Sequence, residues 1–184
     1  VYGIIRLINF AHGDFIMVGG YTLAFTVPLM VAAGMPAWLA VVAAIITCAI
    51  TGVLVEKLAY SPVRRRGNRM SSLITAIAMS LLLENGAQVL FGANPRGVGT
   101  LFTLPNIGMF SGTTLLTIVL GALVMVALQL FVNKTKMGRG MRAVSEDKEA
   151  ATLMGVHVNR TIAITFAVGS ALAAVASLMY CAQY

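Results

Sequence analysis

Glu84 stands about two thirds of the way along an apolar run, with Asn85 beside it and Gln88 one turn later. Ser80, Glu84 and Gln88 recur at a spacing of four, which puts them on one helical face. A carboxylate in apolar surroundings is costly unless it meets water or a partner. The strip therefore reads either as part of a polar path through a membrane or as an interhelical hydrogen-bond cluster near the outer surface. His12 and Asp14, on either side of Gly13, could pass a proton, but near a helix start they more often cap that helix and bond its neighbours. No other residues form a nucleophile, metal or cofactor constellation, so neither catalytic residues nor metal ligands are expected. Cys48 and Cys181 lie in apolar runs without a disulfide or metal spacing and read as packing residues.

The segment from Lys134 to Arg160 carries more pattern than a tether needs. Met137-Gly138-Arg139-Gly140 precedes Glu146-Asp147-Lys148-Glu149-Ala150-Ala151-Thr152-Leu153-Met154-Gly155. Glu146, Asp147 and Glu149 suit the start of a short helix, where acidic groups meet the positive end of the dipole, and Gly155 is placed to end it. Ala150, Ala151, Leu153 and Met154 would give that helix an apolar face, able to dock in a groove on a partner or to lie on lipid headgroups.

The elements that must position these groups follow from composition. Of 184 residues, 59% are hydrophobic and 10% charged, and the mean hydropathy is +0.89; a soluble domain carries about 25% charged residues. Runs long enough to cross a bilayer extend from about Phe15 to Ala33, Ala37 to Val55, Leu73 to Phe91, Thr114 to Val132 and Thr161 to Ala182. The expected fold is all-α: a polytopic transmembrane helical bundle of about five full spans, preceded by an N-terminal partial or re-entrant segment from Val1 to Gly13. Gly34-Met35-Pro36 reads as a tight turn, and Gly92 to Gly112 as irregular structure. Small residues in the last span form two stripes, Ala163, Ala167, Ala171 and Gly169, Ala173, Ser177, that favour close helix packing.

Charge sets the orientation. Residues 57–70 hold five Lys or Arg and residues 134–160 hold six, against Arg96 alone in 92–112. The rich loops belong in the cytoplasm, two spans apart as alternation requires. The net charge of +7 thus marks topology rather than nucleic acid as a partner. Arg64, Arg65, Arg66 and Arg69 are expected at anionic lipid heads. The chain opens at Val1, without an initiator Met or a signal-peptide pattern, and ends at Tyr184 directly after apolar sequence; a fragment of a longer protein is expected.

Glu149-Ala150-Ala151 followed by Gly155 resembles the Glu-Ala-Ala-x-x-x-Gly signature of the cytoplasmic coupling loop in ABC importer permeases. With Ile8-Asn9-Phe10-Ala11-His12-Gly13-Asp14, Glu56-Lys57-Leu58-Ala59-Tyr60-Ser61-Pro62-Val63-Arg64 and Met137-Gly138-Arg139 through Gly155, the chain resembles branched-chain amino-acid permeases of the LivH type over essentially its whole length. The downstream proline of the longer coupling-loop pattern is absent. The resemblance implies one incomplete ABC-importer transmembrane domain over 1–184, with a coupling loop at about 134–160 in which Glu149, Ala150, Ala151 and Gly155 engage an ATP-binding subunit. It makes Asn9, His12, Asp14, Glu84 and Gln88 the candidate substrate path. It implies a multi-pass protein of the bacterial inner membrane that works with a second permease subunit, ABC ATP-binding subunits and a periplasmic or extracellular substrate-binding protein. Substrates would be branched-chain or related amino acids, or alternatively urea or short amides.

No cofactor is expected on this chain; ATP and Mg would sit on the partner, and the subunit itself would be no enzyme. The sequence agrees, since it contains no Gly-x-x-x-x-Gly-Lys-Ser/Thr phosphate loop. The alternative is a self-contained secondary transporter or channel using Glu84 as its intramembrane polar site.

Overall fold

The computed structural model describes residues 10–65, 69–92, 94, 97–98 and 111–183. Outside them lie Asn9, most of the expected N-terminal partial segment, Arg66 and most of the outer loop between 92 and 112. The elements are α1 (His12–Ala32), α2 (Trp38–Val55), a π-helical turn (Glu56–Tyr60), α3 (Ser61–Arg65), α4 (Arg69–Phe91), α5 (Gly112–Lys134), α6 (Lys136–Glu146), α7 (Lys148–Leu153) and α8 (Val158–Gln183). Five stretches are long and apolar enough to cross a membrane: His12–Ala32, Trp38–Arg64, Met70–Phe91, Gly112–Lys134 and Val158–Gln183. The fold is an all-α polytopic bundle, as the hydropathy pattern requires.

The hairpin between α1 and α2 closes through Gly34, whose φ of +68° is open to glycine at little cost. Gly34 N–H donates to the Val31 carbonyl at 3.1 Å and Met35 N–H to Met30 at 2.9 Å, which satisfies carbonyls at the helix end. Pro36 then prevents continuation. At the other face, Arg64 from the first basic loop reaches Asn159 in the second at 3.2 Å, so the two Lys/Arg-rich segments share one end of the bundle.

The core is the triangle of α1, α2 and α8. In α1 the buried residues are Phe15, Gly19, Leu23 and Val27, and in α2 they are Ala40, Ala44, Cys48, Gly52 and Val55; both series follow a spacing near four, one face of each helix. Opposite them α8 buries Ser170, Ala173, Ala174 and Ser177. Small residues let the backbones approach closely. A Cβ at Gly19 would stand 2.9 Å from the Ser177 Cβ, and one at Gly52 would collide with the Ser170 side chain. The buried residues of the Gly169-Ala173-Ser177 stripe do pack as its spacing implies, whereas Ala163, Ala167 and Ala171 stay only partly buried. The buried hydroxyls of Thr165 and Ser170 bond back along their own helix, to Thr161 O at 2.9 Å and Phe166 O at 2.8 Å, so neither needs water inside the bilayer, whereas the buried Ser177 Oγ has no hydrogen-bond partner among the described residues.

The other two spans are peripheral. No residue in the apolar window of α5 is buried within this chain, and α4 buries little beyond Ser72, Ala76 and Ala87. Below α5 the chain turns through Thr135, whose hydroxyl accepts from Gly138 N–H at 3.0 Å and donates to Phe131 O at 2.7 Å. A Cβ at Gly138 would collide with the Val132 backbone. The segment read as loop from Lys136 is therefore a helix, α6, with Gly138, Met141 and Val144 buried.

Glycines at and away from the triangle should respond oppositely to substitution. Gly52→Leu overpacks against Ser170 and Phe166 and should cost about 1–3 kcal/mol. Gly86→Ala, where nothing lies within 4 Å, should be neutral or gain up to about 1 kcal/mol. Thermal melting of both variants in detergent checks this; equal midpoints would remove the close contact from the account of the core.

Candidate functional site

A groove of about 630 Å³ runs between α1 and the far end of α8. Gly13, Gly20, Tyr21 and Ala24 form one wall, Ser177, Tyr180 and Cys181 the other, and Asn94 and Val98 of the outer loop reach its mouth. Gly20 faces the second wall closely: a Cβ there would stand 3.4 Å from Ser177 Oγ and 3.8 Å from Cys181 Sγ, ordinary contact distances, so only a longer side chain would fill the space. Pro28 lies inside α1 and has no N–H to offer the Ala24 carbonyl. The lining is mostly apolar, with a few hydroxyl, amide and thiol groups, the make-up of a site for a small amphipathic molecule. Cys181 is thus a lining residue as well as a packing one.

The residues named from sequence fall elsewhere. His12 is exposed at the first position of α1 and Asp14 is half-buried in its first turn. The Asp14 Oδ2 is buried without a hydrogen-bond partner, within electrostatic reach of Tyr60. Glu84, Asn85 and Gln88 are exposed on α4, where the Asn85 amide bonds back to Leu81 O at 2.7 Å. Glu84 and Gln88 neither meet His12 and Asp14 nor line the groove.

At the Lys/Arg-rich end of the bundle, sequence reading missed a buried ion pair. Glu56 is 2% exposed and its Oε1 accepts from Arg64 Nη2 at 2.8 Å, while Arg64 is 13% exposed. The same nitrogen donates to Asn159 Oδ1 at 3.2 Å, tying the base of α2 to the start of α8. An α-helix of 3.6 residues per turn places residue i+8 roughly 80° round from residue i. The π turn from Glu56 to Tyr60 holds more residues per turn and brings Arg64 back beneath Glu56. Arg64 is therefore committed to a carboxylate rather than to lipid heads, and a pair at this unusual spacing gives no periodic signal.

The segment from Asp147 to Gly155 is built to present a surface. Asp147 Oδ1 accepts from Glu149 N–H at 2.8 Å and Ala150 N–H at 3.2 Å, so Asp147 caps α7. Glu146 instead ends α6, a correction to its expected place at the start of the short helix. Gly155 adopts φ +81°; its N–H donates to Thr152 O at 3.0 Å and Val156 N–H to Ala151 O at 2.9 Å, the same left-handed cap as at Gly34. Ala151 is buried in a cluster with Val144, Ile162 and Phe166. Glu149 and Ala150 are exposed, and Leu153 and Met154 stand 88% and 84% exposed. The helix is pinned through Ala151 and exposes Leu153 and Met154 beside the polar Lys148, Glu149 and Thr152.

Comparison with known proteins gives one consistent result. The family model described as branched-chain amino acid transport system / permease component matches residues 1–184. The chain is 36% identical over 199 aligned positions to the high-affinity branched-chain amino acid transport system permease protein BraD of Pseudomonas aeruginosa, covering 100% of this chain and 64% of that one. It is 37% identical over 192 positions to the corresponding permease protein LivH of Salmonella typhimurium, covering 97% and 62%, and 36% identical to LivH of Escherichia coli strain K12, with the same coverage. The chain thus spans less than two thirds of the length of these curated relatives. No solved structure matches it significantly.

Removing Arg64 would strand a buried carboxylate. Arg64→Ala should cost about 3–5 kcal/mol, and adding Glu56→Gln should recover a substantial part of the loss. A double-mutant cycle of melting midpoints in detergent reads this out; strictly additive effects would mean that the pair is not coupled.

Proposed function

The chain belongs to the family of branched-chain amino acid transport system permease components, and on that premise we propose that it is the transmembrane permease subunit of an ATP-driven importer for branched-chain or related amino acids. It forms one permease domain of the bacterial inner membrane. In this reading it works beside a second permease, receives substrate from a periplasmic or extracellular binding protein, and takes its drive from ABC ATP-binding subunits that carry ATP and Mg.

The observation that carries the reading is α7. A six-residue helix presenting Leu153 and Met154 at the cytoplasmic end, with Glu149 and Ala150 exposed beside them, has the form of a plug for a partner's groove. Its inner residue, Ala151, touches the same cluster as Ile162 and Phe166 of α8. A push on α7 is therefore delivered to α8, a helix continuous to Gln183, which carries Ser177 and Cys181 on the groove wall. Nucleotide-driven approach of the ATP-binding subunits would shift α7, and the far end of α8 would change the groove, which is the two-state behaviour that a driven path needs.

The groove supports the substrate class. Ile16, Met17 and Ala24 offer apolar contact for a branched aliphatic side chain, while Tyr21, Asn94 and Ser177 offer polar groups for its charged end. Asp14, with its buried unpartnered oxygen, stands at the cytoplasmic side of this route. Glu84 and Gln88 lie on a face of α4 left open by the chain; on this reading that face meets a partner or water, as a membrane carboxylate requires.

Two variants separate coupling from passage. Gly155→Leu places a side chain at φ +81°, a strain of about 1–2 kcal/mol in open space, and should cut uptake of radiolabelled leucine at least tenfold while membrane insertion stays normal. Gly20→Leu should lower leucine uptake by a similar factor while an ATP-binding subunit still copurifies. Wild-type uptake in Gly155→Leu, together with no copurifying ATP-binding subunit, would overturn the importer reading.

A further inference from the structure

A second groove, of about 670 Å³, lies between the cytoplasmic halves of α2 and α8, apart from the one assigned to substrate. Its walls share one gradient of polarity. Where α2 runs toward the cytoplasm and into the π turn, Val53 precedes Lys57 by about one turn; on α8, which runs away from it, Arg160 precedes Ala163 and Ala167. The apolar residues are thus the deeper ones and both cations stand at the mouth. Glu56 also borders the space, but its carboxylate is held by Arg64 at 2.8 Å, which leaves the mouth positive through Lys57 and Arg160. Both are exposed and make no ion pair among the described residues. Ala163 and Ala167, half-buried rather than packed beneath a helix, keep the floor shallow enough to admit a chain.

We propose that this groove binds an anionic phospholipid, with its phosphate between Lys57 and Arg160 and an acyl chain laid along Val53, Ala163 and Ala167. The polarity gradient matches that of a lipid at the membrane interface, anionic at the surface and apolar below it, whereas a soluble phosphate would leave the floor unused. A cationic pocket between spans on the cytoplasmic side is the arrangement that recognises anionic headgroups. The bound lipid would fill the gap between α2 and α8 next to the Glu56–Arg64–Asn159 contact, and it would hold the two helices at a fixed spacing there.

The test uses the full-length permease purified in detergent, titrated with phosphatidylglycerol or phosphatidylcholine and read by native mass spectrometry. Phosphatidylglycerol should be retained in preference to phosphatidylcholine. Lys57→Gln and Arg160→Gln should each weaken retention roughly fivefold, and the double variant about thirtyfold. The equal charge change Lys134→Gln with Arg142→Gln should leave retention unchanged. Ala167→Leu, which fills the floor and keeps both cations, should also reduce it. Melting curves identify any variant that fails to fold, and the two single charge variants carry the test if Ala167→Leu does. Equal retention of the two lipids, retention unaffected in the double variant, or competition by glycerol phosphate as effective as that by lipid would overturn the proposal. So would a crosslink from Ala163→Cys to a polypeptide instead of to lipid. Retention is measured without transport, so its failure and a failure of the importer reading are separate results.

Discussion

Everything in this bundle hangs on how closely α8 can approach α1 and α2. In lipid the apolar effect does not drive helices together, so association rests on close van der Waals contact. Here that contact is made where glycine faces a small side chain, Gly19 against Ser177 and Ala174, and Gly52 against Ser170. Because α8 is seated at these points, its two ends acquire fixed surroundings. One end meets the cluster that holds Ala151, and the other borders the groove beside Gly20. A bulkier interface would hold the same helices farther apart and separate the surface around α7 from the groove wall.

The Lys/Arg-rich end uses a different force. Glu56 is buried with its charge, and a buried carboxylate persists only with a partner as close as Arg64. The pair fixes direction more than it adds stability, since ion pairing inside a protein offsets a large desolvation cost. By including Asn159 it joins segments nearly a hundred residues apart in sequence, and it sets α7 and the base of α2 in one frame. The two anchors are complementary: shape complementarity in the membrane and directed charge at its edge.

The spans and their turns were legible in the sequence because the bilayer imposes length and hydropathy on each one separately. Gly34 and Gly155 were legible for a local reason, namely that each ends a helix in a conformation open to glycine. What escaped notice depended on tertiary structure. The stretch Lys136–Glu146 is the exception: Met137, Met141 and Val144 recur at i, i+4 and i+7, a helical signal that its two glycines and several charges masked, and Gly138, Met141 and Val144 form its buried face. The groove beside Gly20 is assembled from α1, α8 and residues 94 and 98, stretches far apart in the chain, which no periodicity reports. Glu84 stood out by its chemistry, yet the structure places it on a face that this chain leaves uncovered, so depth in a span did not translate into membership of the groove.

The π turn at Glu56–Tyr60 has a consequence for how such a span changes over generations. It acts as a phase shift: the faces of α2 above it and of α3 below it keep separate clocks, and substitutions in one half need not respect the repeat of the other. Loss of a single residue from the turn would restore ordinary α-helical geometry with Arg64 seven residues after Glu56, about 20° from it and on the same face, whereas an added residue would carry Arg64 round by about 100°. The span can therefore drift in apolar composition and lose the extra residue, while an insertion at this one place would part Glu56 from Arg64.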